Sequence, residues 1–170
     1  MSLPISGKAP GRRVVTIGVY GWDLPSFLRA LDHADARVLF DVRQRRGVRG
    51  GEYSWANSRR LQQALASGGV RYEHHLELAP TTELRHLQYA EDARQGVGKR
   101  SRLELAPEYA RRYVAEILNP VGVDHLAAEL PPDGAAALFC VERDPEACHR
   151  SLIAARLAAE HGVQVTDLRP

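Results

Sequence analysis

The sequence contains few of the residues that mark secreted or membrane proteins. Its 170 residues include two cysteines, Cys140 and Cys148, which are too few for a disulfide-stapled secreted domain. No apolar stretch approaches the roughly 18 residues that a membrane span needs. The opening MSLPISGKAPGRR also lacks the apolar run of a signal peptide. We therefore expect a cytoplasmic protein with reduced thiols and no membrane partner.

Lysine is equally scarce. The chain has 23 basic residues, and all of them except Lys8 and Lys99 are arginines. This bias is typical either of guanidinium groups that recognise phosphates and carboxylates or of a G+C-rich genome. The net charge of +2 does not distinguish these explanations. The positions of the arginines are therefore more informative than their number.

The rest of the composition, 44% apolar and 26% charged, is that of an ordinary globular protein. A chain of this length can bury one sizeable core without help from disulfides or metals. We find no internal repeat, low-complexity segment or linker. Residues 1–13 are expected to form a flexible arm, and residues 14–170 are expected to form a single domain.

Branched apolar runs alternate with helical patterns along this domain. The predicted strands cover residues 14–18, 37–42, 70–74, 135–141 and 163–168, and the predicted helices cover residues 25–34, 55–66, 83–94, 108–118, 124–129 and 144–161. This alternation predicts a Rossmann-like, three-layer α/β fold with a mostly parallel central sheet of about five strands flanked by helices. Residues 81–130 are expected to be a helical elaboration of the same domain. The pattern does not specify the order of the strands.

The densest group of reactive side chains lies where the fourth strand leads into the last helix, in the run CVERDPEACHR (residues 140–150). We expect Cys148 in or just after the first turn of that helix, where free amides and the helix dipole lower the pKa of a thiol. Candidate catalytic roles are nucleophile or redox thiol for Cys148, proton shuttle for His149 and general base for Glu142. The alternative is a small buried cysteine that packs the helix against the sheet.

We expect neither a metal nor a cofactor at this run. The spacing Cys-x7-Cys-His is not a recognised structural zinc motif. On a helix, adjacent Cys148 and His149 would point about 100° apart, so that one ion would rarely contact both. Cys140 lies within an apolar strand and is interpreted as a packing residue.

Charged residues also mark the end of the second strand, which reads Asp41-Val42-Arg43. Open α/β sheets bind ligands at the carboxyl ends of their strands. Arg43 and Arg150 are therefore predicted to bind an anionic group that also meets the amides of the last helix, and Asp41 is predicted to orient a guanidinium. The alternative is a buried Asp41–Arg43 pair that ties two loops together.

The first and third strands end in residues of weaker signal. Glycines in the run TIGVYGW permit close backbone approach to a ligand, which makes Gly18 and Tyr20 candidate ligand-binding residues. The run lacks the third glycine of a GxGxxG motif, and it has no GK[ST] element, so no nucleotide fingerprint is present. The third strand ends at His74-His75, of which only one can face the ligand edge.

An arginine- and glycine-rich loop follows the second strand. It contains Arg43, Arg45, Arg46 and Arg49. With Tyr53 and Trp55 after it, this loop resembles a surface that follows a phosphate backbone and stacks bases. The alternative is a solvated basic loop whose aromatic residues pack against the domain.

These segments, in this order, resemble the bacterial family known as domain of unknown function 488. The resemblance rests on a TIG strand end (16–18), a DVR strand end (41–43), the helix start Ser54-Trp55 and a CxE…CHR element (140–150). It spans about residues 14–168. Many members have Leu-Gly where this chain has Leu78-Ala79-Pro80. The resemblance implies an α/β domain but brings no established reaction.

Three functions remain open at this point. The preferred one is binding of an anionic, phosphate-containing ligand, such as a nucleotide or a nucleic acid, at the carboxyl ends of the strands. The second is a thiol-based redox enzyme or sensor that uses Cys148, with Cys140 as the resolving thiol. The third is a non-catalytic interaction module in which the polar residues only hold loops together. Further polar side chains of less specific signal are Glu77, Arg85, Lys99, Arg100 and Arg102.

Overall fold

The computed structural model describes residues 11–170 of the chain. Five strands form a single sheet, and every neighbouring pair is parallel. The strands are β1 (Arg13–Ile17), β2 (Ala36–Asp41), β3 (Arg71–His74), β4 (Ala135–Phe139) and β5 (Gln164–Asp167), in the spatial order β3-β2-β4-β1-β5. The predicted α/β fold with a parallel five-stranded sheet is confirmed.

Helices connect successive strands. They are α1 (Leu24–His33), α2 (Ser58–Ser67), α3 (Thr82–Gln95), α4 (Pro107–Tyr113), α5 (Asn119–Val121), α6 (Asp124–Ala128) and α7 (Arg150–His161). A π-helical segment, Val114–Leu118, joins α4 to α5. The predicted helical elaboration corresponds to α3–α6, which lie between β3 and β4. Within residues 11–170, no helix has the length and apolar character needed to cross a membrane.

The strand order determines where the helices lie. Parallel strands connect through right-handed crossovers. The chain moves in one direction from β1 through β2 to β3, and it then reverses through β4 to β5. Helices α1 and α2 therefore cover one face of the sheet, and the later helices cover the other. The connection after β4 leaves toward the opposite face from the connections after its neighbours β1 and β2. This arrangement opens a crevice at the carboxyl end of β4.

The core is centred on β4, whose five residues are all buried. Three successive alanines bring the adjacent strands and helices close to it, and Phe139 ends the strand against Phe27 of α1. Helix α1 begins with a capping box, in which Asp23 accepts from the Ser26 amide and the Ser26 hydroxyl accepts from the Asp23 amide. These local signals explain why the sequence pattern located α1 within a residue.

Several predicted boundaries are wrong. Most of the predicted flexible arm (residues 1–13) lies outside the described residues, but Arg13 is the first residue of β1. The predicted helix 55–66 is a 3₁₀ segment (Gly51–Ala56) followed by α2. These two segments are separated at Asn57, whose backbone is extended and whose side chain accepts from the Val48 amide. The helix predicted from residue 144 begins only at Arg150.

Candidate functional site

Backbone hydrogen bonds join the carboxyl ends of β1, β2 and β4. The amides of Val19 and Tyr20 donate to the carbonyl oxygen of Val141, at 2.9 and 3.2 Å. On the other side of β4, the Val42 amide donates to the carbonyl oxygen of Phe139 at 3.1 Å. The end of β3 joins the same edge, since the His75 amide donates to the carbonyl oxygen of Asp41 at 2.8 Å. The backbone ends of all four strands therefore meet, because the carboxyl ends of parallel strands share one edge.

Gly18 makes the closest of these approaches. A methyl group at this position would overlap the carbonyl oxygen of Glu142. Glycine therefore allows the end of β1 to pack directly against the segment after β4. The close approach predicted for Gly18 is made by the chain itself rather than by a ligand.

A cavity of about 400 Å³ opens in front of these strand ends. It lies between the end of β4, the loop after β2, helix α3 and the segment 99–109. The candidate residues that line it are Tyr20, Arg43, Arg45, Arg49, Glu142, Cys148 and His149. The candidate residues that do not line the cavity are Gly18, Asp41, Arg46 and Arg150. Seven of the eleven candidate residues therefore border this cavity, and four do not.

Two thiols and an imidazole meet at the floor of this cavity. The Nδ1 atom of His149 lies 3.8 Å from the Sγ atom of Cys140 and 3.8 Å from the Sγ atom of Cys148. The Nε2–H group of His149 donates to the carbonyl oxygen of Val42 at 2.9 Å. All three side chains are at least nine-tenths buried. We refer to Cys140, Cys148 and His149 as the thiol cluster.

The thiol cluster has an uneven charge distribution. Burial raises the pKa of Cys140, and the neighbouring Cys148 raises it further. Burial would also raise the pKa of Cys148, but the Cys140 hydrogen bond and the charges of His149 and Arg150 outweigh burial and hold this pKa well below its usual range. Burial lowers the pKa of His149, yet the Cys148 thiolate raises it overall. These opposite pKa shifts favour the thiolate form of Cys148 over that of Cys140.

The predicted position of Cys148 within the start of the last helix is wrong. A 3₁₀ turn, Pro145–Ala147, follows β4, and Cys148 has an extended backbone before α7 begins. Its thiol is thus stabilised mainly by side-chain neighbours rather than by a position inside a helical turn. The extended backbone also removes the 100° separation from His149 that a helix would impose.

Helix α3 supports the cavity with a polar buried face. Gln88 and Asp92 are buried one turn apart, and the Gln88 amide donates to Asp92 at 2.9 Å. Asp92 forms an ion pair of 2.6 Å with Arg102, which also lies 3.3 Å from Glu142. Burial and the Cys148 charge raise the pKa of Glu142, although Lys99 and Arg102 partly oppose them. The sequence reasoning missed Gln88 and Asp92. Gln88 and Asp92 follow the buried Leu84 at successive intervals of four residues, which was the available signal.

Several cations of the cavity have no carboxylate partner. The guanidinium of Arg85 donates to the side-chain oxygen of Gln44 at 2.7 Å and to the hydroxyl of Tyr89 at 3.0 Å, both neutral groups. Within residues 11–170, no carboxylate lies within ion-pair distance of Arg85, Lys99, Arg45 or Arg49. Burial lowers the pKa of Lys99, but the more distant Glu142 raises it overall. The cavity therefore carries excess positive charge.

Arg43 and Asp41 form the buried pair that the sequence left as an alternative. The Nε and Nη2 groups of Arg43 donate to the two carboxylate oxygens of Asp41, each at 2.9 Å. The Nη1 group donates to the carbonyl oxygen of Ala56 at 2.9 Å, and the Tyr72 hydroxyl donates to Asp41 at 2.6 Å. The pair joins β2 to β3 and to the 3₁₀ segment before α2. The donors of Arg43 therefore hold two loops together, and they do not face the anion that Arg43 was predicted to bind.

The guanidinium of Arg150 likewise donates its hydrogen bonds to groups of the protein itself. Its Nη1 group donates to the carbonyl oxygen of Glu142 at 2.7 Å, and its Nη2 group donates to that of Arg143 at 3.1 Å. The side chain is fully buried. Arg150 therefore fixes the chain after β4, and its predicted role as an anion ligand has no support in this geometry.

The remaining candidates of the arginine loop divide between the surface and the core. Arg45 and Arg49 are exposed at the cavity, whereas Arg46 donates to the Tyr72 hydroxyl at 3.4 Å, behind it. Trp55 is buried against Phe27 and is unable to stack on bases. The alternative of packing aromatics is therefore correct for Trp55.

The two histidines at the end of β3 do not reach the cavity. The Nε2–H group of His74 donates to the carbonyl oxygen of Arg43 at 2.9 Å. His75 turns away, and its Nδ1 atom lies 2.6 Å from Glu77, which also contacts His125 at 2.9 Å. The predicted convergence of His74-His75 with the other strand ends is therefore wrong for their side chains.

Comparison with protein-family models confirms the resemblance to the family. The family model described as "Domain of unknown function DUF488" matches residues 23–157. The chain belongs to this family. The match includes the second strand end, the arginine loop and the thiol cluster, whereas Gly18 and Tyr20 precede it. The comparisons with curated proteins and with solved structures found no match. Membership in DUF488 therefore supports the domain without assigning its chemistry.

Proposed function

We propose that this DUF488 protein binds a small phosphate-containing molecule in the cavity at the carboxyl end of β4. The observation that carries the proposal is the set of cavity cations that have no carboxylate partner in the described part of the chain (residues 11–170), namely Arg45, Arg49, Arg85 and Lys99. Arg43 and Arg150, whose guanidinium groups bind the protein, take no direct part. A phosphate group accepts several hydrogen bonds and suits guanidinium and ammonium donors.

Charge distribution supports this ligand class. The carboxylate that lines the cavity is Glu142, which lies 3.3 Å from Arg102 and shares it with the buried Asp92. The low pKa of Cys148 adds a second anionic group, and the four cations outnumber these two. Arg85 is held in place by Gln44 and Tyr89, so its orientation needs no ligand. A preorganised cation loses little conformational entropy on binding, which makes Arg85 an efficient anion contact.

Size favours a small molecule over a nucleic acid strand. Ligand cavities for small molecules span about 300–1,000 Å³, and this cavity of about 400 Å³ lies within that range. Of the two aromatic residues that follow the arginine loop, Trp55 is buried, and Tyr53 packs against Tyr20 and Arg100. Tyr20 and Tyr89 line the cavity and offer ring surface for a base or sugar. A nucleotide therefore fits the proposal better than an oligonucleotide does.

Isothermal titration calorimetry tests the proposal with inorganic phosphate, nucleoside monophosphates and diphosphates, and single-stranded oligonucleotides. We expect a nucleotide to bind with unit stoichiometry, and we expect Arg85→Met and Lys99→Met each to weaken binding by about 10-fold or more. Arg59→Met is the matched control, because Arg59 is an exposed arginine of α2 that does not line the cavity.

Three outcomes would overturn this assignment. One is the absence of binding by every phosphate compound at low ionic strength. Another is equal weakening by Arg59→Met and Arg85→Met, which would indicate nonspecific attraction. The third is tight binding of oligonucleotides alone, with strong salt dependence, which would favour the surface arginines and a nucleic acid partner.

A redox function is the second candidate, favoured by the position of both sulfur atoms beside one imidazole nitrogen. In this reaction Cys140 and Cys148 form a disulfide, and two electrons and two protons pass to a peroxide, which leaves as alcohol and water. Treatment of metal-free protein with a peroxide, followed by alkylation and mass spectrometry, is expected to detect this bond. Sulfenic acid on Cys148 without a disulfide would contradict the resolving role of Cys140.

A further inference from the structure

We propose that the thiol cluster is a binding site for one Zn²⁺ ion, with Cys140, Cys148 and His149 as its three protein ligands. The donor atoms Sγ, Sγ and Nδ1 of these residues all lie within 4.8 Å of one another. This inference is independent of the proposed nucleotide binding, because it rests on the thiols and the imidazole rather than on the cavity cations.

The distances between the donor atoms match a tetrahedral ion. Zinc binds thiolate sulfur at about 2.3 Å and imidazole nitrogen at about 2.0–2.1 Å, so tetrahedral geometry separates sulfur from nitrogen by about 3.6 Å. The two measured sulfur–nitrogen separations are both 3.8 Å. The two sulfur–nitrogen separations therefore need to shorten by only about 0.2 Å. The two sulfur atoms, which lie within 4.8 Å of each other, need a separation of about 3.8 Å.

The environment of His149 provides a second, independent observation. Its Nε2–H group donates to the carbonyl oxygen of Val42 at 2.9 Å, which leaves Nδ1 as the nitrogen that faces both sulfur atoms. Metal-ligating histidines characteristically donate their other ring N–H group to a carbonyl or carboxylate, which fixes the orientation of the ring. The Val42 carbonyl already performs this orienting role.

The backbone brings the three ligands together from separate elements. Cys140 follows β4, whereas Cys148 lies in extended backbone between the 3₁₀ turn and α7. If Cys148 and His149 shared a helix, their side chains would point about 100° apart and one ion would rarely contact both. Cys148 instead has an extended backbone, so this geometric obstacle to zinc is absent at these two residues. Because all three residues are buried, little side-chain entropy remains to be lost on coordination.

The cavity leaves a fourth position available. All three ligands line its wall, and Glu142 lies beside them with its Oε2 atom 3.7 Å from the Cys140 sulfur. Three protein ligands and an open position are characteristic of catalytic zinc, whereas structural zinc has four protein ligands. Two thiolates and one neutral imidazole also favour zinc over harder cations such as Mg²⁺.

The experiment measures metal content and coordination in the full chain. Protein prepared under reducing conditions is loaded with Zn²⁺, dialysed and assayed by plasma mass spectrometry, and the affinity is measured by competition with a chromophoric chelator. We expect one zinc ion per chain. We also expect Co²⁺ in its place to show thiolate charge-transfer absorption and the strong visible bands of tetrahedral coordination.

Variants of the ligands and a matched histidine sharpen the test. We expect Cys140→Ser, Cys148→Ser and His149→Gln each to weaken zinc binding by at least about 100-fold. His74→Gln is the matched control, because His74 also donates Nε2–H to a carbonyl oxygen at 2.9 Å but has no thiol neighbour. Circular dichroism of each variant separates loss of the ligand from loss of the fold.

The proposal is overturned if folded protein with free thiols retains less than about a tenth of a zinc ion per chain after loading and dialysis. Unchanged affinity in Cys148→Ser or His149→Gln, or stoichiometric iron or copper under zinc-replete conditions, would also overturn it. Nucleotide titrations of the metal-free and zinc-loaded proteins keep the two proposals separate, since Lys99→Met should affect nucleotide binding and leave zinc content unchanged.

Discussion

Two sets of cations lie near the same sheet edge, and they differ in what neutralises them. Arg43 and Arg150 are fully buried and donate to Asp41 or to backbone carbonyl oxygens. Arg85 and Lys99 line the cavity and have no carboxylate within ion-pair distance among residues 11–170. The first set therefore stabilises loops, and the second set is available to a ligand.

The difference shows that position at a strand end does not decide the role of an arginine. A buried guanidinium must be paired or hydrogen-bonded, because an unpaired charge in the interior is costly. Arg43 satisfies this requirement within the protein, so its donors are not available to a ligand. Arg85 lies in a solvent-accessible cavity, and neutral partners are enough to hold it there.

The largest effect is expected for Arg43→Met, which removes the partner of a buried carboxylate. We expect the free energy of unfolding to fall by about 3–5 kcal/mol, measured by urea denaturation. The double variant Asp41→Asn/Arg43→Met should recover part of this loss, because it removes both charges. A loss below 1 kcal/mol in Arg43→Met would show that the two sets of cations do not differ in this way.

Arg150→Met is expected to have the next largest effect on stability. The carbonyl groups of Glu142 and Arg143 lose their guanidinium donors, so we expect the free energy of unfolding to fall by about 2–3 kcal/mol. Thermal and urea denaturation measure this change. If stability were unchanged and nucleotide binding were lost, Arg150 would belong with the cavity cations.

Lys99→Met should change stability by less than about 1 kcal/mol, because no carboxylate of residues 11–170 lies within ion-pair distance of Lys99. The same urea series measures this value beside the two variants above. A large loss of stability would assign Lys99 to the structural set. The affinity loss expected for this variant then could not be attributed to the ligand contact alone.

The smallest effect on stability is expected at the exposed ion pair between Glu91 and Arg94, because both charges remain in contact with solvent. The Arg94 hydrogen bonds hold the pKa of Glu91 at about 2, below the ordinary value of 4.5. Any stabilisation by this pair is present above pH 4.5 and is lost as the pH falls toward 2. Carboxyl NMR titration should show the pKa of Glu91 rising toward its ordinary value in Arg94→Ala. An unchanged pKa would indicate that Arg94 does not hold the carboxylate in solution.

The sequence predicted which strand ends share an edge, but it did not predict which side chains form ion pairs and hydrogen bonds there. It identified β1, β2 and β4 from apolar runs and expected their polar ends to meet at one edge. It did not place Arg102 against Asp92, because the ion pair joins the end of α3 to a loop across a turn. It also treated Cys148 as helical, since Asp144-Pro145 begins a 3₁₀ turn with the same local signal as an α-helix.

Local patterns in the sequence determined the parallel α/β architecture and the membership of DUF488. Periodicity and capping depend on residues a few positions apart, so they can be recognised in the sequence without knowledge of the fold. Only the tertiary structure decided which cations are neutralised and which donor atoms meet. Pairing depends on distances between segments far apart in the chain, as when the Val42 carbonyl orients His149. The strand order creates these distances, and the sequence pattern left that order open.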